Sequence, residues 1–279
     1  MSKRNRIVFV SVWLLCAAAF LVPALCFKSP QGGESVREAM RDAVLHESNK
    51  INFFGIGEVN PAVVSAYTVT AILLLAALAV RIFAIPKFKN IPGRFQLLLE
   101  QAVGFFDNLA KSNSPHKNRF LGAYVFTAGS YICLGTFFEL LGLQGVTTAG
   151  ASISLPAPLA DINGAIAMGV TSYLVILSGG LLGNGIKGVF SSLKEFSLPI
   201  SMSFRLFGAL LSGLLVTELV YYNIGLSFVL PVFVGVMFTA LHALIQTYVL
   251  TMLTAVFYGE VSEKTPKRQR IKKIRGNKS

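Results

Sequence analysis

The chain has 279 residues, of which 53% are hydrophobic and only 14% charged, and it carries a formal net charge of +12. Soluble domains hold about 25% charged residues, so this composition and a mean hydropathy of +0.63 exclude an ordinary soluble enzyme and indicate an all-α integral membrane protein. The basic excess suits nucleic acid superficially, but the basic residues cluster at the ends of apolar runs and in a tail, which excludes that reading.

Residues 1–27 are a basic start (Lys3, Arg4, Arg6) followed by an apolar run from Ile7 to Phe27, read either as a signal peptide or as an extra N-terminal membrane helix. Residues 28–60 form a polar, extracytoplasmic segment with a short amphipathic piece around Val36–Leu45. Asn60-Pro61 opens the membrane domain, 61–258, whose first apolar span runs from about Ala62 to Ile85, roughly the 20 residues needed to cross a bilayer. Pro86 and Pro92 bracket a basic connector with Lys87, Lys89 and Arg94. The next helix is amphipathic, with Phe95, Leu98, Leu99, Ala102, Phe105, Phe106 and Leu109 on one face, and is expected to lie along the membrane surface.

A second span covers about Phe120 to Leu143 and contains Glu139; a third covers about Gly164 to Leu182. A helix bearing Arg205 follows, then a turn near 222–225 and a last long helix to about Tyr258. Residues 259–279 form a basic tail. Segments 86–119, 183–197 and 259–279 hold most of the lysines and arginines, whereas 144–163 and 221–226 hold none. The positive-inside rule therefore puts the basic segments, and the C-terminus, in the cytoplasm, with the tail near anionic lipid.

The chemistry centres on Arg205. An arginine at bilayer depth costs about 2.5–3.5 kcal/mol even on the lenient insertion scale, and no acidic residue stands near it in the run LPISMSFRLFGALLSGLLV. Its counter-charge is therefore expected on another helix or another chain. Gly208, Ala209 and Ser212 follow on the same helix and make a small-residue trough, which lets another helix approach closely. Thr239, His242 and Gln246 share a face of the last helix, and Glu218 lies further along the helix of Arg205. Each of these polar groups singly is also explained by an interhelical hydrogen bond worth about 1 kcal/mol.

Other sites are not supported. There is no P-loop, and the formal GxGxxG match from Gly183 to Gly188 follows a membrane helix and not a strand. Cys16, Cys26, Cys133, His46, His116 and His242 lack ligand spacing, so neither a metal nor a cofactor is expected.

The run SLPISMSFRLFGALLSG, with Arg205 in an RLFG motif, resembles subunit a of F-type ATP synthases. So does LIQTYVLTMLTAVFYGEVSE, where Gln246 matches that family's glutamine. Leu159-Ala160-Asp161-Ile162-Asn163, Phe137-Phe138-Glu139-Leu140-Leu141-Gly142 and the amphipathic GRFQLLLEQAVGFF also resemble family segments, over about Asn52 to Glu263. The resemblance implies a multi-pass fold with a long, tilted C-terminal helical hairpin facing a ring of c subunits. It also implies b-type peripheral-stalk subunits and the soluble ATPase head as further partners, in a bacterial plasma membrane. Arg205 would then be the essential charge facing a ring carboxylate. Gln246, His242, Glu218, Asp161, Asn163 and Glu139 would lie on the ion pathway, and Gly208, Ala209 and Ser212 would pack close to the ring. Asp161 has a second reading, as the cap of the third span.

The sequence departs from the family at three places. Ala209 stands where an asparagine usually follows RLFG, Leu214 where Glu or His is common, and Thr239 likewise. Glu218 and His242, each about one turn away, are the candidate substitutes. The alternative to an ATP synthase subunit is a secondary transporter or permease in which Arg205 binds an anionic substrate, but such folds often show paired repeats, and none is evident here. A non-transporting membrane scaffold is the third reading.

Overall fold

The computed structural model describes residue 11 and residues 50–53, 57–115, 118–148, 150, 152–194, 196–222 and 230–263. The N-terminal run 1–27, the amphipathic piece at 36–45 and the tail beyond 263 thus fall outside the described residues, Ser11 apart.

Two short antiparallel hairpins sit among long helices. The first pairs β1 (Ile51–Phe53) with β2 (Gly57–Val59), and the second pairs β3 (Gln144–Val146) with β4 (Ser152–Ser154). The N–H of Thr148 donates to the carbonyl of Lys50 at 3.0 Å and ties the two hairpins together. Ile51, Val69, Phe138 and Leu155 form a small apolar cluster beneath them.

α1 (Pro61–Ala79) begins because Asn60 and Pro61 suit a helix start. Asn60 Oδ1 accepts the Ala62 N–H at 2.9 Å, and Pro61 lacks the N–H that a first-turn residue would leave unpaired anyway. Thr68 and Thr70 donate their hydroxyls to the carbonyls four residues back, so neither presents a bare donor to lipid. A π turn, Val80–Ala84, and a 3-10 turn, Ile85–Lys87, carry the helix on to Pro86, which cannot donate in a regular ladder.

α2 (Arg94–Asn113) packs on α3 (Arg119–Leu140) and α7 (Leu230–Ser262). Ala110 is fully buried there, while Phe95, Leu98 and Phe105 of its apolar face remain more than half exposed. α4 (Ile162–Asn184) is followed by the short α5 (Ile186–Leu193), and α6 (Ser197–Tyr222) packs on both α4 and α7. The α4–α5 break falls at Gly185, whose φ of +64° is a conformation that side-chain-bearing residues resist. At Gly188 the α5 backbone lies against the carbonyl of Gly180, leaving no room for a Cβ. The glycines of the formal GxGxxG match thus serve a helix turn and a close helix contact.

Four helical stretches among the described residues are long and apolar enough to cross a membrane: Pro61–Lys87, Arg119–Leu140, Ile162–Asn184 and Gly235–Ser262. α6, with 26 residues, is about 39 Å long at 1.5 Å per residue. The main core joins α2, α3, α4, α6 and α7 through Leu121, Val125, Ile132, Ile176, Met202, Leu206 and Tyr258, among others. The last helix, expected to stop near Tyr258, continues to Ser262. Its end is held by Asn184, whose side-chain amide donates to the carbonyls of Val261 and Glu263 at 3.2 and 2.7 Å.

Candidate functional site

The periodicity of α6 divides it into two faces. Met202, Leu206 and Leu210 are buried against the core, whereas Ser201, Arg205, Gly208 and Ser212 are exposed along an adjoining stripe and Ala209 is half-buried. Ser212 donates its hydroxyl to the carbonyl of Ala209 at 2.8 Å, so the small-residue stripe carries little free polarity. On α7 the exposed residues Met237, Leu241, Leu244 and Tyr248 recur at the same helical spacing. α6 and α7 each therefore present an open stripe, and Arg205 lies on that of α6.

Arg205 and Gln246 line one narrow crevice with Met202, Leu206, Val249, Leu250 and Leu253. Gln246 is 6% exposed, Arg205 much more so. Among the described residues no carboxylate forms an ion pair with Arg205; the pairs there are Lys50–Glu58 and Lys111–Asp107. The counter-charge that the sequence leaves missing is thus also missing from the surrounding described side chains.

Two turns further along the seam, Glu139 of α3 meets Thr239 and His242 of α7 and Leu210 and Gly213 of α6 around a second crevice. It has about 10 Å³ of free volume, about what a single water needs. Gly213 borders it, and a Cβ there would meet His242 Nδ1 at an ordinary 3.7 Å. The imidazole leans on Phe238, ring centroids 5.8 Å apart. His242 and Glu139, which the resemblance alone put on one pathway, line the same crevice. The side chains of Glu218 and Leu214 lie outside the described residues.

Asp161 and Asn163 are not in that crevice. Asp161 caps α4, its Oδ1 accepting the N–H groups of Asn163 at 2.8 Å and Gly164 at 3.3 Å. Its other oxygen accepts from Asn60 Nδ2 at 2.6 Å. One side-chain pair therefore fastens together the N-termini of α1 and α4. Sequence reasoning reached the Asp161 cap but missed the link; its signal was that both residues stand at N-cap positions before apolar helices. No group of three or more His, Cys, Asp or Glu capable of holding a metal occurs among the described residues.

This geometry can be set beside known proteins. A family model described as ATP synthase A chain matches residues 63–259, most of the chain. The chain belongs to that family. It is 27% identical over 200 residues to ATP synthase subunit a of Cereibacter sphaeroides, a match covering 67% of this chain and 76% of that one. A subunit named ATP synthase subunit a 2, from Vibrio campbellii, is 24% identical over 204 residues, covering 63% and 78% of the two chains. The protein is accordingly a multi-pass membrane subunit of an ATP synthase complex, and the matched segment contains both crevices of the α6–α7 seam.

Proposed function

We propose that this chain is the ion-translocating stator subunit of an F-type ATP synthase, in which Arg205 faces the carboxylate of a c-subunit ring and separates two half-channels for H⁺ or Na⁺. The observation that carries the reading is the Arg205–Gln246 crevice on an open helix face, with no counter-charge among the described side chains. Ring helices are the natural occupants of the stripe of Gly208, Ala209 and Ser212, since small residues allow close backbone approach.

Arg205 favours the ionised form of an arriving ring carboxylate. At about 4 Å and an effective dielectric near 20, the attraction is about 4 kcal/mol, enough to make the site release its ion. The same positive charge opposes a cation crossing directly between the half-channels, so transport is forced through ring rotation. The driving force is about 2.3 kcal/mol per charge per 100 mV. Gln246, in the same crevice, positions the guanidinium.

Glu139 and His242 supply the outer half-channel, with His242 taking the place of the polar group lost at Thr239 and Leu214. Glu218 belongs to the same path. Asp161 and Asn163 hold its outer rim by fixing the start of α4. In this reading 61–258 is the membrane domain and 259–279 a cytoplasmic tail, in a bacterial plasma membrane. The b-type stalk and, through the assembled complex, the ATPase head complete the partners. Affinity purification of the chain from mild detergent tests the assignment: a small c-type hairpin protein and the ATPase head should co-purify. Recovery of the chain alone under conditions that preserve ATP synthase complexes would count against it.

A further inference from the structure

α7 runs unbroken over 33 residues and carries Gln246 near its middle. The face that it turns to α3 and α4 is shallow along most of its length: Ala243, Thr247, Thr251, Thr254 and Ala255 are all buried there. The hydroxyls of Thr251 and Thr254 are spent on α7 itself, donating to the carbonyls of Thr247 and Leu250 at 2.6 and 2.8 Å. Thr247 reaches the carbonyl of Gly129 on α3 at 3.5 Å, the outer limit of a hydrogen bond. Small side chains of this kind allow close approach but interdigitate little, so they resist sliding along the helix axis weakly.

The last turns are different. Asn184, the final residue of α4, donates its side-chain amide to the carbonyls of Val261 and Glu263 at 3.2 and 2.7 Å, groups that a helix end leaves without intrahelical partners. Gly183 lies against the backbone of Ser262, and Gly259 against the carbonyl of Asn113 at the end of α2, neither with room for a Cβ. The ring of Tyr258 covers Gly179 in the same way. Ser262 Oγ stands 3.4 Å from Ser114 Oγ. The end of α7 is thus gripped between the ends of α2 and α4, and any slip or rotation would carry both carbonyls away from the one amide that holds them.

We propose that Asn184 is a positioning residue for ion translocation: it sets the register of α7 and so holds Gln246 in the crevice beside Arg205. The proposal rests on the ion-translocating reading above. Asn184 lines neither the Arg205 crevice nor that of Glu139 and His242, so its influence runs through α7. Gln246 lies about 24 Å from Ser262 along the axis, at 1.5 Å per residue, and the unbroken helix between them passes a shift at the end on to Gln246. A misplacement of about 1 Å can cost about a hundredfold where geometry carries a reaction.

The test uses the assembled ATP synthase in inverted membrane vesicles, with Cys16, Cys26 and Cys133 replaced by serine. Asn184→Ala should lower ions pumped per ATP hydrolysed at least threefold in complexes of unchanged subunit content. Fewer complexes with an unchanged ratio would reduce Asn184 to a folding role and overturn the proposal. Should Asn184→Ala fail to assemble, Asn184→Asp, which keeps the shape and loses the amide donor, takes its place with the same expectation; failure of both to assemble would also overturn it.

A second experiment replaces the grip. Ser114→Cys with Ser262→Cys puts two thiols where the hydroxyl oxygens stand 3.4 Å apart, a gap that a disulfide can close. In the Asn184→Ala background, oxidising this pair should restore the ratio to within twofold of the unsubstituted complex, and reduction should abolish the recovery. A bond that forms there without restoring the ratio would sink the proposal. A pair that oxidises with Asn184 present but not without it would show the register lost, as proposed; a pair that oxidises in neither background would refute the grip itself. Arg205→Ala is run alongside. If it stops pumping while Asn184→Ala leaves the ratio intact, only the role of Asn184 fails; if it still pumps, the ion-translocating reading fails first.

Discussion

The Asn60–Asp161 link allows a quantitative prediction, because its two roles can be separated by substitution. Asn60→Ser keeps a capping oxygen for the Ala62 N–H, and Ser is as good an N-cap as Asn, but it is too short to reach Asp161. The change therefore removes the 2.6 Å bond to Asp161 Oδ2 and little else. Hydrogen bonds to charged groups contribute about 1.5–3 kcal/mol, and since both residues are only half-buried the expected loss is about 1–2 kcal/mol after solvent screening. Asp161→Ala removes the same bond and the α4 cap, worth about 1 kcal/mol more, for a total of about 2–3 kcal/mol. If the link is the shared term, adding Asn60→Ser to Asp161→Ala should cost almost nothing further. The assay is SDS-induced unfolding of the purified chain in mixed micelles, followed by helical circular dichroism. Full additivity in the double variant would refute the link as an energetic contact and leave two independent caps.

Other substitutions probe the seam and the turn that shapes it. His242→Ala and Glu139→Gln should each lower ATP-driven pumping about a hundredfold, the low end of what a positioned proton-transfer group contributes, without loss of assembly; full activity in both would remove that crevice from the ion path. Gly213→Ala should be tolerated, since its Cβ would meet His242 Nδ1 at an ordinary 3.7 Å. Gly213→Leu should fill the crevice and block pumping in a complex that still assembles, and unimpaired pumping would show that the crevice carries no traffic. Gly185→Ala should destabilise the chain by about 1–3 kcal/mol, the cost of holding a residue with a Cβ in a region of backbone space that is essentially glycine's alone, and a neutral result in the same SDS titration would show that the α4–α5 turn relaxes.

The crossings were legible because 20-residue apolar runs have few other uses, and their predicted ends fall within a few residues of α1, α3 and α4. The α4 cap was legible for the same local reason: Asp161 stands directly before an apolar run. The hairpins were not. Strands of three residues in Gly- and Ser-containing loops carry too little alternation to register, and β3 pairs β4 across a loop with no strong turn dipeptide. α5 was hidden because eight residues with Gly188 inside look like a connector; it packs on α4 where Gly188 backs onto Gly180. Within the site, Arg205 and Gln246 were legible through their motif, and the structure places them on one crevice. The meeting of Glu139 with His242 needed α3, α6 and α7 to be packed together, and contacts between helices far apart in the chain are not written in any single-sequence pattern.

Arg205 is the charge whose partner the proposed function assigns to another chain. Its most direct test is ATP-driven ion pumping in inverted vesicles carrying the assembled complex with Arg205→Ala, with ATP hydrolysis and subunit content measured alongside. A complex of normal composition whose pumping falls to background is the expected result. Pumping retained at a substantial fraction of the unsubstituted level would contradict it.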